Sequence, residues 1–332
     1  MIHQLSPFSF AKRLCAAACA AFVLLAPGAQ AQTAEQGYPK KLIKLVVPYP
    51  PGGGADTLAR LVAAKMTDRL GQQVMVENKP GANTAIATEY VAKQPADGYT
   101  LLYVASSFTI NPSLYKLRYS TDKDFAPVAL IAQVPLIIVA NNDFPVRTVA
   151  DLIREAKRKP GDISFATYGA GSPVHLAGEL FELMTDTKLL HVPYKGSAPG
   201  LADLVGGQVN LAFSSIEPSL ALMRANKVRA IAVTTSKRIS AAPNVPTVAE
   251  TVPGFETAGW NGIVAPAGTP PEIVKRLNTV INEAVQLPDM REKFAVQGVE
   301  IDIKTHEAFA SMINGELAKW SALVKKANIS ID

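Results

Sequence analysis

The sequence predicts an α/β chain of two lobes with a cleft between them, each lobe a mostly parallel sheet flanked by helices. Three observations carry this. Strand-like and helix-like segments alternate as βαβαβ between residues 42 and 106, and parallel strands need such crossover connections. A second alternating set starts after residue 141. Between the two sets lies Val128–Asn141, a long apolar stretch interrupted by Pro135. One strand passing from lobe to lobe and bent at the proline accounts for that length.

Each element has its own reason. Leu42–Tyr49 is a strand, with Ile43, Leu45, Val46 and Val47 in close succession, and Pro50-Pro51-Gly52-Gly53-Gly54 ends it. A helix follows from near Asp56, because Leu58, Leu61, Val62, Met66 and Leu70 recur at helical spacing. Val74–Glu77 is a strand, Ala82–Lys93 a helix and Leu101–Ser106 a strand. In the second set, Thr148 with Asp151 forms a capping box for a helix reaching Arg158. Ser164–Tyr168, Leu190–Pro193, Val209–Phe213 and Val228–Thr234 are strands, and Pro173–Thr185 and Pro218–Ala225 are helices. A proline-rich loop, 236–254, brings the chain back to strand Trp260–Pro266. Thr269-Pro270-Pro271-Glu272 has the pattern of a second capping box, and Glu307–Lys326 is the last helix. The expected division is a leader over 1–31, lobe one over 38–136 and 245–332, and lobe two over 137–244.

The leader rests on order. Lys12-Arg13 precede the apolar run Leu14–Leu25, and Pro27-Gly28 and Ala29-Gln30-Ala31 follow it. Basic, apolar and small residues in that sequence make a secretory signal with cleavage after Ala31, and the expected location is the periplasm. The run is too short for the ~20 residues of a membrane span. Both cysteines, Cys15 and Cys19, lie in the leader, so the exported chain has no thiol for a disulfide, a metal site or a nucleophile. The chain carries 33 Lys+Arg against 28 Asp+Glu, and losing Lys12 and Arg13 lowers the excess from five to three. No basic cluster is interleaved with aromatics, so nucleic acid is not an expected partner. His175, His191 and His306 have no metal-ligand spacing, and neither metal nor cofactor is expected.

Two loops carry the chemistry. Pro48–Asp56 joins the first strand to the first helix, at the carboxyl end of the sheet where α/β proteins bind ligands. Its three glycines either form a plain turn or let an anion approach the free N–H groups of the helix start. The spacing fits neither a dinucleotide fingerprint nor a P-loop. Tyr168–His175 is the second loop, with Ser172 at the N-cap and Pro173 at the first helical position. A Ser172–His175 nucleophile is the competing reading, but the G-x-S-x-G elbow is absent and both residues share one helical turn. His175 is either a ligand contact or a first-turn helix residue, and His191 a core or edge residue. Ser106-Ser107 and Ser214-Ser215 end strands, either as caps or at the cleft. Trp260 is a core or hinge residue and secondarily a cleft wall.

Several short motifs occur in one order: Pro48–Asp56, Asp97-Gly98-Tyr99-Thr100-Leu101-Leu102, Asn111-Pro112-Ser113-Leu114-Tyr115, Gly171-Ser172-Pro173-Val174-His175, Val192-Pro193-Tyr194-Lys195-Gly196, Asp203–Val209, Val245–Glu250 and Ala265–Pro270. With the Gly81 turn they resemble the Bug receptors, the extracytoplasmic binding components of tripartite tricarboxylate transporters. The resemblance spans the exported chain. It implies a Venus-flytrap periplasmic binding protein that is no enzyme, a small carboxylate ligand, integral-membrane transporter subunits as partners, and a monomer. Carried over, the grip is Tyr49, Gly52, Gly53, Gly54, Ala55 and Asp56 on one side. On the other stand Tyr168, Gly169, Ala170, Gly171, Ser172 and His175. Asn83, Ser106, Ser107 and Ser214 complete the expected site. The chain departs from the family at Gly81-Ala82-Asn83-Thr84, where many members have Gly-Ala-Gly-Gly, and at Phe213-Ser214, where many have Phe-Asp. Loss of that acid argues for a dicarboxylate or aromatic carboxylate over an amino acid. A receptor that presents its ligand to a membrane sensor is the alternative, and a periplasmic hydrolase ranks last.

Overall fold

A computed structural model describes residues 37–329. The expected cleavage after Ala31 and both cysteines lie outside the described residues. The chain opens with β1 (Ile43–Val47), α1 (Gly54–Leu70), β2 (Val74–Asn78), α2 (Ala85–Ala92), β3 (Thr100–Ala105) and α3 (Ser107–Leu114). Two strands, β4 (Phe125–Val134) and β5 (Leu136–Asn141), then follow with only Pro135 between them. The second set is α4 (Val149–Arg158), β6 (Ser164–Thr167), α5 (Pro173–Thr185), β7 (Leu190–Pro193), α6 (Ser197–Val205), β8 (Leu211–Ser215), α7 (Ile216–Arg224) and β9 (Val228–Val233). The return is β10 (Gly259–Pro266), α8 (Pro271–Val285), α9 (Pro288–Val296), β11 (Glu300–Ile301) and α10 (His306–Lys326).

Two sheets result, ordered β11-β4-β10-β3-β1-β2 and β7-β6-β8-β5-β9. The fold is therefore a two-lobed α/β structure, but the sheets are mixed and not mostly parallel. β2-β1-β3 and β7-β6-β8 run parallel, whereas β10 is antiparallel to β3 and β4, and β5 to β8 and β9. The reason is the crossing. β5 enters the second sheet straight from β4, with no helix to reverse its heading. Proline lacks a ladder donor, so Pro135 marks the handover between sheets, and its carbonyl accepts the Ile216 N–H at 3.0 Å.

Every residue of β5 and of β10 is buried, as expected where helices cover both faces of a sheet. On one face of the first sheet Leu58, Val62 and Met66 of α1 join Leu277 and Ile281 of α8; the opposite face packs Val91, Phe108, Phe309 and Ile313 from α2, α3 and α10. In the second lobe α4 and α5 cover one face and α6 and α7 the other. Trp320 and Leu323 of α10 also meet Leu176 of α5 and Ile110 of α3, which ties the lobes together.

Local chemistry explains several boundaries. The Thr148–Asp151 box forms, with reciprocal bonds of 3.1 Å. The second box does not: α8 is capped by Pro270, and Thr269 Oγ1 donates instead to the Pro266 carbonyl at 2.8 Å. Residues 82–84 form a separate 3-10 turn before α2, because Ala82, Asn83 and Thr84 all take positive φ, at 46°, 46° and 77°. The buried Asn111 side chain offsets that strain by donating to Asn83 O at 2.6 Å and accepting from Asn83 Nδ2 at 2.8 Å. Val248, Val252 and Phe255 pack in the second lobe's core. They belong with the second sheet, further along the chain than residue 245, where the return to lobe one was expected.

Candidate functional site

A cleft of about 440 Å³ opens between the lobes, a size suited to a small molecule. The β1–α1 loop forms one wall. Tyr49, Gly54 and Ala55 line it, whereas Gly52, Gly53 and Asp56 of the same loop do not. Gly52 takes φ +85° and donates its N–H to Asp56 Oδ2 at 2.9 Å. The same buried carboxylate accepts from Arg60 Nε at 2.9 Å and from Asn78 Nδ2 at 2.7 Å, and Asn78 also reaches the Tyr49 carbonyl at 3.0 Å. Burial alone would raise the Asp56 carboxyl, but these donors outweigh it and hold the group at about 2. Asp56 is thus the clamp of the loop, not a wall of the cleft. No side chain caps α1, because Gly53 stands at its N-cap, so the first N–H groups of the helix stay free.

The opposite wall is the β6–α5 loop, where Tyr168, Gly169, Ala170, Gly171, Ser172 and Pro173 all line the cleft. Gly169 and Gly171 take φ +138° and +72°, conformations that side chains rarely adopt. Ser172 is the N-cap of α5, with its Oγ accepting the His175 N–H at 3.3 Å. His175 is buried behind the loop and absent from the cleft wall. Its Nδ1 accepts the Gly171 N–H at 3.1 Å and its Nε2 faces Glu179 Oε1 at 3.2 Å. The ring stacks on His191 with centroids 3.9 Å apart, and His191 Nε2 lies 2.7 Å from Thr167 Oγ1. Burial, with His175 beside it, pushes His191 down to about 3, so that ring is neutral near pH 7. The imidazole of His175 is committed to the Gly171 amide, which leaves no Ser172–His175 nucleophilic pair.

The floor includes Asn83, Ser106, Ser107, Trp260 and Asn261. Ser107 starts α3, and its hydroxyl lies 3.2 Å from Tyr49 Oη. Ser106 Oγ accepts the Trp260 N–H at 2.9 Å, tying β3 to β10. Trp260 is both core and wall: it is 2% exposed and packs on Phe309 at 5.6 Å. Burial raises Tyr49, and it pushes Tyr168 to about 12, so both phenols stay protonated donors.

Ser214 is an expected site residue that the structure takes out of the cleft. It is buried, its hydroxyl donates to the Ser215 carbonyl at 3.1 Å, and it lines a separate small pocket under Tyr168 and Gly200. Successive strand residues face opposite sides, so Ser215 reaches the cleft and Ser214 cannot. Glu217, Asn261 and Gln297 also line the cleft and were not foreseen. Asn261 left a signal, a lone amide within the apolar β10. Glu217 left none, since an acid in the first turn of a helix is ordinary. Among the described lining residues Glu217 is the one charged side chain. Partial burial raises its carboxyl above the usual value. The described residues contain no group of acids and histidines that could hold a metal, and no helix long and apolar enough to cross a membrane.

Residues 58–329 match the tripartite tricarboxylate transporter family receptor model. The chain belongs to that receptor family. It is 37% identical to protein BugT of Bordetella pertussis over 92% of this chain and 94% of that one. Among solved structures it is similar to R. palustris Rpa4515 with adipate, at 38% identity and TM-score 0.76, over 88% of this chain and 99% of that one. It is also similar to MatC of Rhodopseudomonas palustris with bound malate, at 31% identity and TM-score 0.73, over 86% and 100% of the two chains. Members of this receptor family bind solutes and are not enzymes, and this chain is a carboxylate-binding receptor.

Proposed function

We propose that the receptor is exported to the periplasm, closes as a monomer on one small carboxylate, and hands it to integral-membrane transporter subunits. The observation that carries this is the pair of helix starts, α1 and α5, set on opposite walls of one cleft. Free N–H groups at the α1 start, and a helix dipole from each side, suit one carboxylate held between neutral donors. Tyr49, Tyr168 and Ser172 add hydroxyls, and the adipate and malate complexes of its relatives support the same ligand chemistry. The preference for dicarboxylates or aromatic acids rested on Ser214 standing in the cleft, and that ground is gone. Native mass spectrometry of protein taken from a periplasmic extract tests the reading. A monomer carrying one organic acid is the expected result; a co-purified ligand without a carboxyl group would overturn it.

Ser172 and His175 act differently in this reading. Ser172→Ala removes a cap and a ligand donor together. It should lower the melting temperature by about 2–4 °C, for a cap worth ~1 kcal/mol. It should also weaken binding about ten- to a hundredfold, the cost of a hydrogen bond to a charged group. Calorimetric titration showing wild-type affinity for Ser172→Ala would remove the second loop from the grip.

A further inference from the structure

Among the described residues, two cleft-lining acceptors near α7 have no hydrogen-bond partner, the Glu217 carboxylate and Gln297 Oε1. Glu217 reaches from the second lobe toward the start of α1: its Oε2 lies 3.2 Å from where a Cβ on Gly54 would stand. No hydrogen bond or ion pair to this carboxylate occurs among the described residues. Gln297 lines the same cleft, and its buried Oε1 has no partner either. The two belong to one corner, since Gly298 is packed against Ile216 and Leu220 of α7, with about 2.9 Å from Ile216 Cγ2 to a Cβ built there. Among the described residues, no lysine, arginine or histidine lines the cleft to neutralise Glu217.

Glu217 is exposed and therefore hydrated, and a ligand that displaces that water must bring the donor in its place. We propose that Glu217, helped by Gln297, sets the ligand class: a monocarboxylate bearing an ammonium or hydroxyl within reach of Glu217, in preference to a dianion. This rests on the carboxylate reading above and narrows it. A second ligand carboxylate near Glu217 meets like charge in a cleft with no cation. At ~5 Å and an intermediate effective dielectric that repulsion is worth about ten- to a hundredfold in affinity.

The test is calorimetric titration of the purified receptor with acids of one chain length: adipate, hexanoate, 6-hydroxyhexanoate, 6-aminohexanoate and 2-aminohexanoate. At least one donor-bearing acid should bind the unaltered protein about tenfold or more tightly than adipate or hexanoate. Glu217→Gln keeps the size of the side chain and removes its charge. It should raise adipate affinity about tenfold and lower that of the amino acids by a similar factor. Adipate binding the unaltered protein as tightly as every donor-bearing acid overturns the proposal and leaves the carboxylate reading standing. The same holds if Glu217→Gln leaves the ranking unchanged. If none of the five acids binds either protein, the proposal is overturned and the family assignment stands.

Discussion

Gly54→Val abolishes ligand-induced thermal stabilisation while the ligand-free protein keeps its fold. Gly54 is the first residue of α1, lines the cleft, and has no positive φ to preserve. A Cβ there meets only Glu217 Oε2, at 3.2 Å, and that is the tip of a flexible side chain that can turn aside. Folding therefore tolerates the change. Binding does not, because the added methyl groups enter the space where the opposing lobes approach and cover the free N–H groups of the helix. A ligand at ~100 times its dissociation constant stabilises by about 2.7 kcal/mol, or roughly 5–10 °C for a chain of this size. Gly54→Ala should lose part of that shift and Gly54→Val all of it, in a thermal-shift titration with a ligand that the unaltered protein binds. A full shift in the valine variant would place the ligand elsewhere. Gly53, one residue earlier, has nothing nearer to its built Cβ than Pro50 O at 3.9 Å, so the same measurement on Gly53→Ala should show a smaller effect.

The second large effect belongs to Asp56. Its carboxylate is 3% exposed and takes three donors, from Gly52, Arg60 and Asn78. Asp56→Ala leaves the Gly52 N–H without a partner inside the loop and Asn78 Nδ2 with the Tyr49 carbonyl alone, although the half-exposed Arg60 regains water. Hydrogen bonds to a charged group are worth ~1.5–3 kcal/mol each, and partial rehydration reduces the sum. A net loss of about 2–3 kcal/mol follows, or roughly 5–10 °C in melting temperature, with ligand affinity falling as the glycine turn loosens. The pH dependence has a definite sign. The carboxyl is held at about 2 in the folded chain, below its ordinary 3.8. Its contribution is therefore complete above about pH 4 and is lost as the pH falls through 2. Asp56→Asn isolates this group from other acids. The gap in stability between the two proteins should be constant from pH 7 to 5 and shrink toward pH 2. An unchanging gap down to pH 2 would mean that the ionised carboxylate is not what holds the loop.

These two residues mark how far the sequence could be read. The glycine loop and the helix behind it were legible, because a strand ending in Pro-Gly-rich sequence before a helical pattern is a local signal. So was the Ser172-Pro173 helix start, which formed as the residue types require. Asp56 was legible as a site residue but not as a clamp, since Asn78 comes from a different strand and no spacing announces their bond. His175 was placed with the ligand, yet its ring turns back to the Gly171 amide and to His191, a partner from an edge strand.

By itself the sequence determined most of the order of strands and helices, though not α3, α6, α9 or β11, together with the crossing at Pro135 and the two glycine-bearing helix starts. Periodicity, caps and turn residues act over a few positions, and those features need nothing more. Only the tertiary structure decided strand direction, because β4 and β5 run straight from one sheet into the other with no crossover between them. It alone decided which serine of Ser214-Ser215 meets the cleft, since the pleat sends neighbours to opposite faces and the register selects the face. It also decided that Glu217 of one lobe stands against Gly54 of the other. That contact depends on how two separately folded sheets are held, and no local pattern in either segment encodes it.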